Sequence, residues 1–401
     1  MNGQTPRIAV LADWWWPETV GGAERSARAA AMELARFATV TVFVPAVREQ
    51  VYADGPLTVH AVRRPFARRA HVDSKVRHGM EFLTAWLWPL VARRLARSIR
   101  VFAPDVIVAT NVSRTGPWLV RHAKRTGTRF VRVYHDLSDT CWRRSRLKGG
   151  SSCTTVCGEC KVKTSIMRGA QPAAGVSVCV SGFVRTELVE AGLTTPARSA
   201  VAYPMLGAAT SAPPPRRPVG DTVVGYIGRI DAVKGIESAI RAAASYRRNT
   251  GKAVSMLIAG EGEPGYVQTL ATLAEQESLD VEFAGHMDVD AFCSRVDVVL
   301  IPSKWMEPFG RVAVEVGRCG LPMLISPVGG LPEAAAVSGG RFGFADFDDP
   351  AGAAQALAAL LDGSAPASAA AMPPPSSVVP LEQGVALAVR RVLDSRTETR
   401  R

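Results

Sequence analysis

What most constrains the fold is an alternation. Short apolar runs rich in β-formers take turns with helical patterns through most of the chain, and the alternation breaks at Ser211-Ala212-Pro213-Pro214-Pro215-Arg216-Arg217-Pro218. Strand then helix, repeated, is the pattern of a parallel α/β sheet, because parallel neighbours need a crossover between them. The proline run can continue neither a helix nor a central strand, so it reads as an interdomain linker. Before it, strands are predicted at residues 7–11, 39–44, 57–62, 106–109, 130–134 and 176–180, with helices notably at 23–36 and 117–126. After it, the strands are 222–227, 255–259, 281–284, 298–301 and 322–325, with helices at 235–246, 266–277, 289–295 and 311–318. A chain of 401 residues is long for one domain and suits two or three. The organisation predicted is an N-terminal Rossmann-like domain over 1–210, a linker over 211–218 and a C-terminal Rossmann-like domain over 219–375. Residues 364–379 form a linker rich in Ala, Pro and Ser. A helix over 380–395 is then free to cross back to the first domain, and residues 396–401 read as frayed. Two such domains facing a central cleft would take ligands beyond the carboxyl ends of their strands.

Charge separates the two halves. Residues 1–210 hold 30 Lys and Arg against 14 Asp and Glu, whereas the remainder holds 18 against 22. The N-terminal excess points to an anionic partner, whether a membrane surface, nucleic acid or a phosphorylated substrate. The first apolar run, residues 8–12, is too short for the core of a secretory signal and is followed by Asp13, so a cytoplasmic location is expected. The most apolar later stretch, residues 82–92, ends at Arg93-Arg94 and falls short of the ~20 residues a spanning helix needs. Seven cysteines is an odd number for a disulfide framework, which leaves metal binding or plain burial.

The strongest chemical signal is Pro302-Ser303-Lys304-Trp305-Met306-Glu307-Pro308-Phe309-Gly310-Arg311-Val312-Ala313-Val314-Glu315. A strand delivers the chain to a turn shaped by Pro308 and Gly310, and a helix starts near Arg311 with free N–H groups, a ready site for a diphosphate. Glu307 precedes that helix and Glu315 lies about one turn inside it, so the two carboxylates can address different hydroxyls of one ligand. The plainer reading makes both solvated and the turn structural. Upstream, Gly225-Tyr226-Ile227-Gly228-Arg229-Ile230-Asp231-Ala232-Val233-Lys234-Gly235 ends a strand and offers two cations to a leaving diphosphate. Asp231 is a candidate helix cap. In the first half, Trp14-Trp15-Trp16-Pro17-Glu18 leads to Gly21-Gly22, whose bare amides can meet a phosphate or sugar just where a helix begins. The tryptophans suit either the core or the mouth of an acceptor site. His135 follows a strand in Tyr134-His135-Asp136.

On the motif from Glu307 to Glu315, with Gly320-Leu321-Pro322 and Val328-Gly329-Gly330-Leu331-Pro332-Glu333 after it, the sequence resembles the retaining glycosyltransferases of family 4, which have the GT-B fold. The resemblance extends over nearly the whole chain. It implies that Glu307 contacts the donor sugar, that Glu315 holds the ribose hydroxyls and that the amides of Phe309, Gly310, Arg311 and Val312 face the phosphates. It also implies that Arg229 and Lys234 neutralise the diphosphate, that Gly21 and Gly22 form the glycine loop between acceptor and donor, and that His135 supports the donor sugar. Retention in this family is ascribed to front-face attack, in which the departing phosphate accepts the acceptor's proton and the protein supplies positioning and electrostatics.

Cys141, Cys153, Cys157 and Cys160 follow the histidine, the last three as Cys-x3-Cys-x2-Cys. Four thiolates suit tetrahedral zinc, with an iron–sulfur cluster as the alternative and four unrelated thiols as the plain reading. A subset of family 4 resembles this stretch. Cys179, Cys293 and Cys319 lie in apolar elements and read as buried. Arg63-Arg64-Pro65-Phe66-Ala67-Arg68-Arg69 leads to an amphipathic stretch with Trp86, Trp88, Arg93, Arg94, Arg97 and Arg100, a pattern for peripheral contact with anionic lipid or for a solvated basic face. The expected function is hexosyl transfer from a UDP- or GDP-sugar to a hydroxyl acceptor, lipid-linked or from polysaccharide assembly. Two alternatives are a sugar transferase acting on nucleic acid and a non-catalytic GT-B protein that binds nucleotide sugars.

Overall fold

A computed structural model of the chain describes residues 5–18, 21–64, 85–86, 89–144, 146–148, 151–153, 156–204, 220–364 and 378–395. The predicted linker at 211–218, most of the one at 364–379, the tail 396–401, and Arg68, Arg69 and Trp88 lie outside these residues. The chain divides into two compact units. One comprises residues 1–144, 155–204 and 379–401; the other comprises 145–154 and 205–378.

In chain order the first unit contains β1 (Arg7–Leu11), α1 (Gly22–Leu34), β2 (Thr39–Ala46), β3 (Gln50–Asp54), β4 (Leu57–Arg63), α2 (Leu90–Phe102), β5 (Val106–Ala109), α3 (Trp118–Thr126) and β6 (Arg129–Tyr134). A two-residue ribbon, β7 (Leu147–Lys148) and β8 (Ser151–Ser152), belongs to the second unit. The first unit resumes with α4 (Gly158–Ala170), β9 (Val176–Cys179), α5 (Gly182–Glu190) and β10 (Ser199–Val201). Its eight strands lie in the order β10-β9-β6-β5-β1-β2-β4-β3, all pairs parallel except β3 with β4. Every residue of β5, Val-Ile-Val-Ala, is buried, as expected for a parallel strand covered on both faces. The order reverses between β1 and β5, so the loops after these two strands diverge to opposite faces and leave a crevice at their carboxyl ends.

The second unit runs β11 (Thr222–Ile227), α6 (Ile236–Thr250), β12 (Val254–Ala259), α7 (Pro264–Gln276), β13 (Asp280–Gly285), α8 (Val289–Cys293), β14 (Val298–Ile301), α9 (Arg311–Arg318), β15 (Met323–Ile325), α10 (Leu331–Ser338), β16 (Phe342–Phe344) and α11 (Pro350–Asp362). Its six strands are all parallel, in the order β13-β12-β11-β14-β15-β16, with the reversal between β11 and β14. The period of two along β11 sets its packing: Val224 and Tyr226 join the core beneath α6, α7 and α11. Gly225 faces the other way, where an added Cβ would lie 2.6 Å from the Phe292 ring of α8.

The last helix, α12 (Leu381–Asp394), belongs to the first unit. Tyr203 anchors its start, accepting from the Leu381 N–H at 2.7 Å and donating to the Val379 carbonyl at 2.8 Å. Arg129 at the head of β6 donates to the carbonyls of Val392 and Leu393 at its far end, a cation satisfying the orphan acceptors of a helix terminus. Among the described residues no helix is long and apolar enough to cross a membrane.

Candidate active site

The loops that follow β11 and β14 bring two of the predicted residues of the second unit, Lys234 and Glu307, together. Asp231 turns the chain after β11: its carboxylate accepts from the Val233 N–H at 3.2 Å and caps a single 3-10 turn over Ala232–Lys234. The Lys304 N–H, just past β14, donates to the Val233 carbonyl at 3.0 Å and stitches the two loops. Lys234 Nζ thereby stands 2.5 Å from Glu307 Oε1, and the Ser303 hydroxyl donates to the same oxygen at 2.9 Å. Glu307 is buried and Lys234 lies with its ammonium 5.0 Å from the centre of the Trp305 ring. The Glu307 main chain is fixed as well, its carbonyl accepting from the Gly330 N–H at 2.7 Å. Burial, with the Glu307 carboxylate adding to it, pushes the Tyr226 phenol far up, so Tyr226 stays a donor and holds the Arg229 carbonyl at 2.8 Å.

Arg229 stands apart from that pair. Its side chain is 67% exposed and meets Asp231 at 3.3 Å, which leaves the guanidinium at the surface of the loop. Gly310 caps α9 with φ +100°, a conformation that L side chains rarely adopt, and a Cβ there would lie 2.6 Å from Leu331. The residue type is thus set both by the turn and by its neighbour. Phe309 is buried, Arg311 and Val312 are half-buried, and Glu315 on α9 pairs with Arg311 at 3.6 Å. Ser303 and Trp305, which flank the Lys234–Glu307 pair, were not among the predicted site residues. Their signal is their place between the end of β14 and Glu307.

In the first unit Gly21 is the extended residue that caps α1, and Gly22 is the first residue of that helix. Glu24 lies in its first turn, and burial, with Asp13 and Asp136 nearby, raises its carboxyl above the usual range. Asp13 accepts from the N–H groups of Ser113 and Arg114, both at 2.9 Å, joining the loops after β1 and β5. His135 is half-buried at the end of β6. The strand beneath it carries Arg132, which is 2% exposed, pairs with Asp139 at 3.0 Å and donates to the Ala109 carbonyl at 3.0 Å. This buried pair fixes the loop from His135 to Cys141.

The cysteines are partly gathered. Cys157 caps α4 and Cys160 lies in its first turn. The Cys160 thiol is pushed up to about 11 by burial, by its hydrogen bond to Cys157 and by the proximity of Cys141. Among the described residues no three His, Cys, Asp or Glu side chains form a group able to hold a metal ion. Cys179, Cys293 and Cys319 are buried. Trp86 turns inward: its ring meets Trp142 edge-on at 4.8 Å, and Lys163 stands over both. Arg93, Arg94, Arg97 and Arg100 are exposed along α2.

Two doubly wound parallel units in one chain are the GT-B architecture. Anabaena HepE, solved in complex with UDP, has the same fold, with a TM-score of 0.63 at 17% identity over 98% of this chain and 100% of that one. Residues 20–205 match the family described as Glycosyltransferase Family 4, and residues 210–372 match Glycosyl transferases group 1. The chain belongs to the family 4 glycosyltransferases. A 42.6 kDa protein of the cps region of Klebsiella pneumoniae is 26% identical over 288 residues, 67% of this chain and 71% of its own length. Glycogen synthase of Mycobacterium tuberculosis is 36% identical over 157 residues, but that match takes in 38% of this chain and 37% of the synthase.

Proposed function

We propose that the enzyme is a retaining glycosyltransferase that moves a sugar from a UDP- or GDP-sugar to a hydroxyl acceptor, lipid-linked or part of a growing polysaccharide. The observation that carries this reading is the Lys234–Glu307 pair at the strand-order reversal of the second unit. A sugar diphosphate presents a dianion beside a ring of hydroxyls, and a fixed ammonium next to a fixed carboxylate is complementary to that junction. Lys234 and Arg229 would neutralise the diphosphate, Glu307 would take a hydroxyl of the donor sugar, and Glu315 would take the ribose hydroxyls. The amides from Phe309 to Val312, at the open end of α9, would meet the phosphates. In the first unit, Gly21 and Gly22 would offer amides to phosphate or sugar and His135 would support the donor sugar. In the transfer step the bond from the anomeric carbon to the phosphate oxygen breaks. The acceptor oxygen bonds to the same face, and its proton passes to the departing phosphate.

The UDP in the HepE complex supports a nucleotide-sugar donor, and the cps-region relative supports a polysaccharide or lipid-linked acceptor. The exposed arginines of α2 would hold the enzyme to the anionic inner face of the cytoplasmic membrane. A structural zinc, in preference to an iron–sulfur cluster, would need the thiols of Cys141, Cys153, Cys157 and Cys160 drawn closer than they stand here; metal analysis of the untagged protein tests this, with about one zinc per chain expected.

A thermal-shift panel of nucleotides and nucleotide sugars tests the donor assignment. One nucleotide class at 100 times its Kd should add about 2.7 kcal/mol, and Arg229→Ala should abolish the gain. A melting temperature unmoved by every nucleotide would refute it.

A further inference from the structure

The proposed transfer leaves a cavity beside the tryptophan run unused. It lies entirely in the first unit, measures about 260 Å³, and is lined by Trp14, Trp15, Trp16 and Glu18 from the loop after β1 and by Arg48, Gln50 and Tyr52 from β3 and the turn before it. Its volume falls just under the ~300–1,000 Å³ of sites for drug-sized ligands and suits a single ring.

The loop is braced before any ligand arrives. Trp15 is buried and its indole N–H donates to Asp54 at 3.1 Å. Asp54 is held in turn by Arg28 through two hydrogen bonds of 2.6 and 2.8 Å. The Tyr52 hydroxyl donates to the Trp16 carbonyl, and the Glu18 N–H donates to the Trp15 carbonyl at 2.9 Å. Trp14 is stacked by Arg114, 3.1 Å from its ring centre, with Arg64 at 5.5 Å. What these fastenings leave outward is Trp16, 52% exposed, beside a carboxylate, a guanidinium and an amide.

We infer that this cavity is a saccharide subsite that seats one pyranose unit of the acceptor on Trp16. A pyranose has an apolar face of C–H bonds, which stacks on an indole, and a polar edge of hydroxyls, which donate to a carboxylate and accept from a guanidinium. Glu18, Arg48 and Gln50 supply that set around Trp16. A nucleotide could stack its base on the same indole, and the DNA arm of the test below separates that occupant from a saccharide. The inference rests on the transferase reading and narrows the acceptor to a molecule that already carries sugar.

Saturation-transfer NMR with the full chain tests it, the probes being a panel of neutral and uronic disaccharides and a short single-stranded DNA. Ring C–H protons of at least one disaccharide should show transfer, with loss of at least fivefold in Trp16→Ala and recovery in Trp16→Phe. Arg48→Ala should weaken the signal as a second, independent variant. No transfer to any disaccharide, equal transfer in Trp16→Ala, or transfer to the DNA alone would overturn it. Nucleotide-induced thermal shifts on the same variants separate this from the donor reading. Shifts that persist without a saccharide signal sink the subsite alone, and a saccharide signal without nucleotide shifts sinks the donor assignment alone.

Discussion

Lys234→Met should expose how the loops after β11 and β14 are held. The ammonium is 2.5 Å from Glu307 Oε1, with side-chain exposures of 20% and 9% for the two partners. Removing one partner of a fully buried ion pair costs about 3–5 kcal/mol, because the other charge is left desolvated and unpaired. Here Glu307 keeps the Ser303 hydroxyl at 2.9 Å and the lysine end reaches some water, so the low end applies, about 3 kcal/mol. In a unit of this size that corresponds to a melting temperature lower by roughly 6–12 °C. Glu307→Gln keeps an acceptor for Ser303 and leaves the more exposed partner unpaired, at about 1.5 kcal/mol. The double variant has no stranded charge and should lose about 2.5 kcal/mol, less than the two singles together by about 2 kcal/mol. Thermal melts of the four proteins, followed by circular dichroism, give the coupling. Additivity within about 0.5 kcal/mol would refute the pairing as the element that holds the two loops.

Arg28→Ala should weaken the cavity's bracing by about 1 kcal/mol at pH 7, since the arginine is partly exposed. The Arg28 guanidinium, with Trp15 assisting, holds Asp54 below the usual carboxylate range, so its contribution is present above about pH 4 and lost as pH falls through the folded value. Urea denaturation at pH 7 and pH 3 should therefore show a gap between wild type and variant that closes in acid; a gap independent of pH would count against this. Gly260→Ala should cost more than 3 kcal/mol, or abolish soluble expression, because φ is +140° and the new Cβ would lie 1.8 Å from the Gly228 carbonyl oxygen. Gly127→Ala, with φ +64° and open space around it, should cost only about 1 kcal/mol, and equal losses would be the wrong result. Replacing Arg93, Arg94 and Arg97 by Ala should reduce sedimentation with anionic vesicles on the order of 100-fold at low salt, while binding to zwitterionic vesicles stays unchanged; unaltered anionic binding would dismiss the membrane face.

Both sheets were legible because their central strands are short, apolar runs set between helical patterns, and burial on both faces leaves little room for polar residues. The elements that escaped are those with weak contrast. Gln50–Asp54 is an exposed antiparallel edge, Ser199–Val201 has three residues and no buried one, and Phe342–Phe344 is split by a glycine. Leu331–Ser338 and Pro350–Asp362 are rich in alanine, whose small side chain marks neither face of a helix clearly. Gly158–Ala170 was obscured by Cys157 at its cap and Cys160 in its first turn, which draw attention to metal chemistry rather than to the helix that carries them.

Sequence reading names candidate residues for a site, not how they are arranged. Glu307 and Lys234 are 73 positions apart, and what joins them is the crossover that sets β14 against β11. A local motif cannot carry that information, because it depends on which strand the chain returns to. The three tryptophans make the same point within one loop. Trp15 is buried because Asp54, 39 residues on, offers an acceptor; Trp14 is half-covered because Arg114, on the loop after β5, stacks on it; Trp16 stays outward. Identical side chains in consecutive positions acquire three environments from what the fold sets against each: Asp54 at the end of β3, Arg114 on the loop after β5, and, more loosely, Arg28 of α1, 6.0 Å from the Trp16 ring centre. Sequence reading therefore names the chemistry available at the end of a strand, while the strand order decides which of it is fixed and which remains free to meet a ligand.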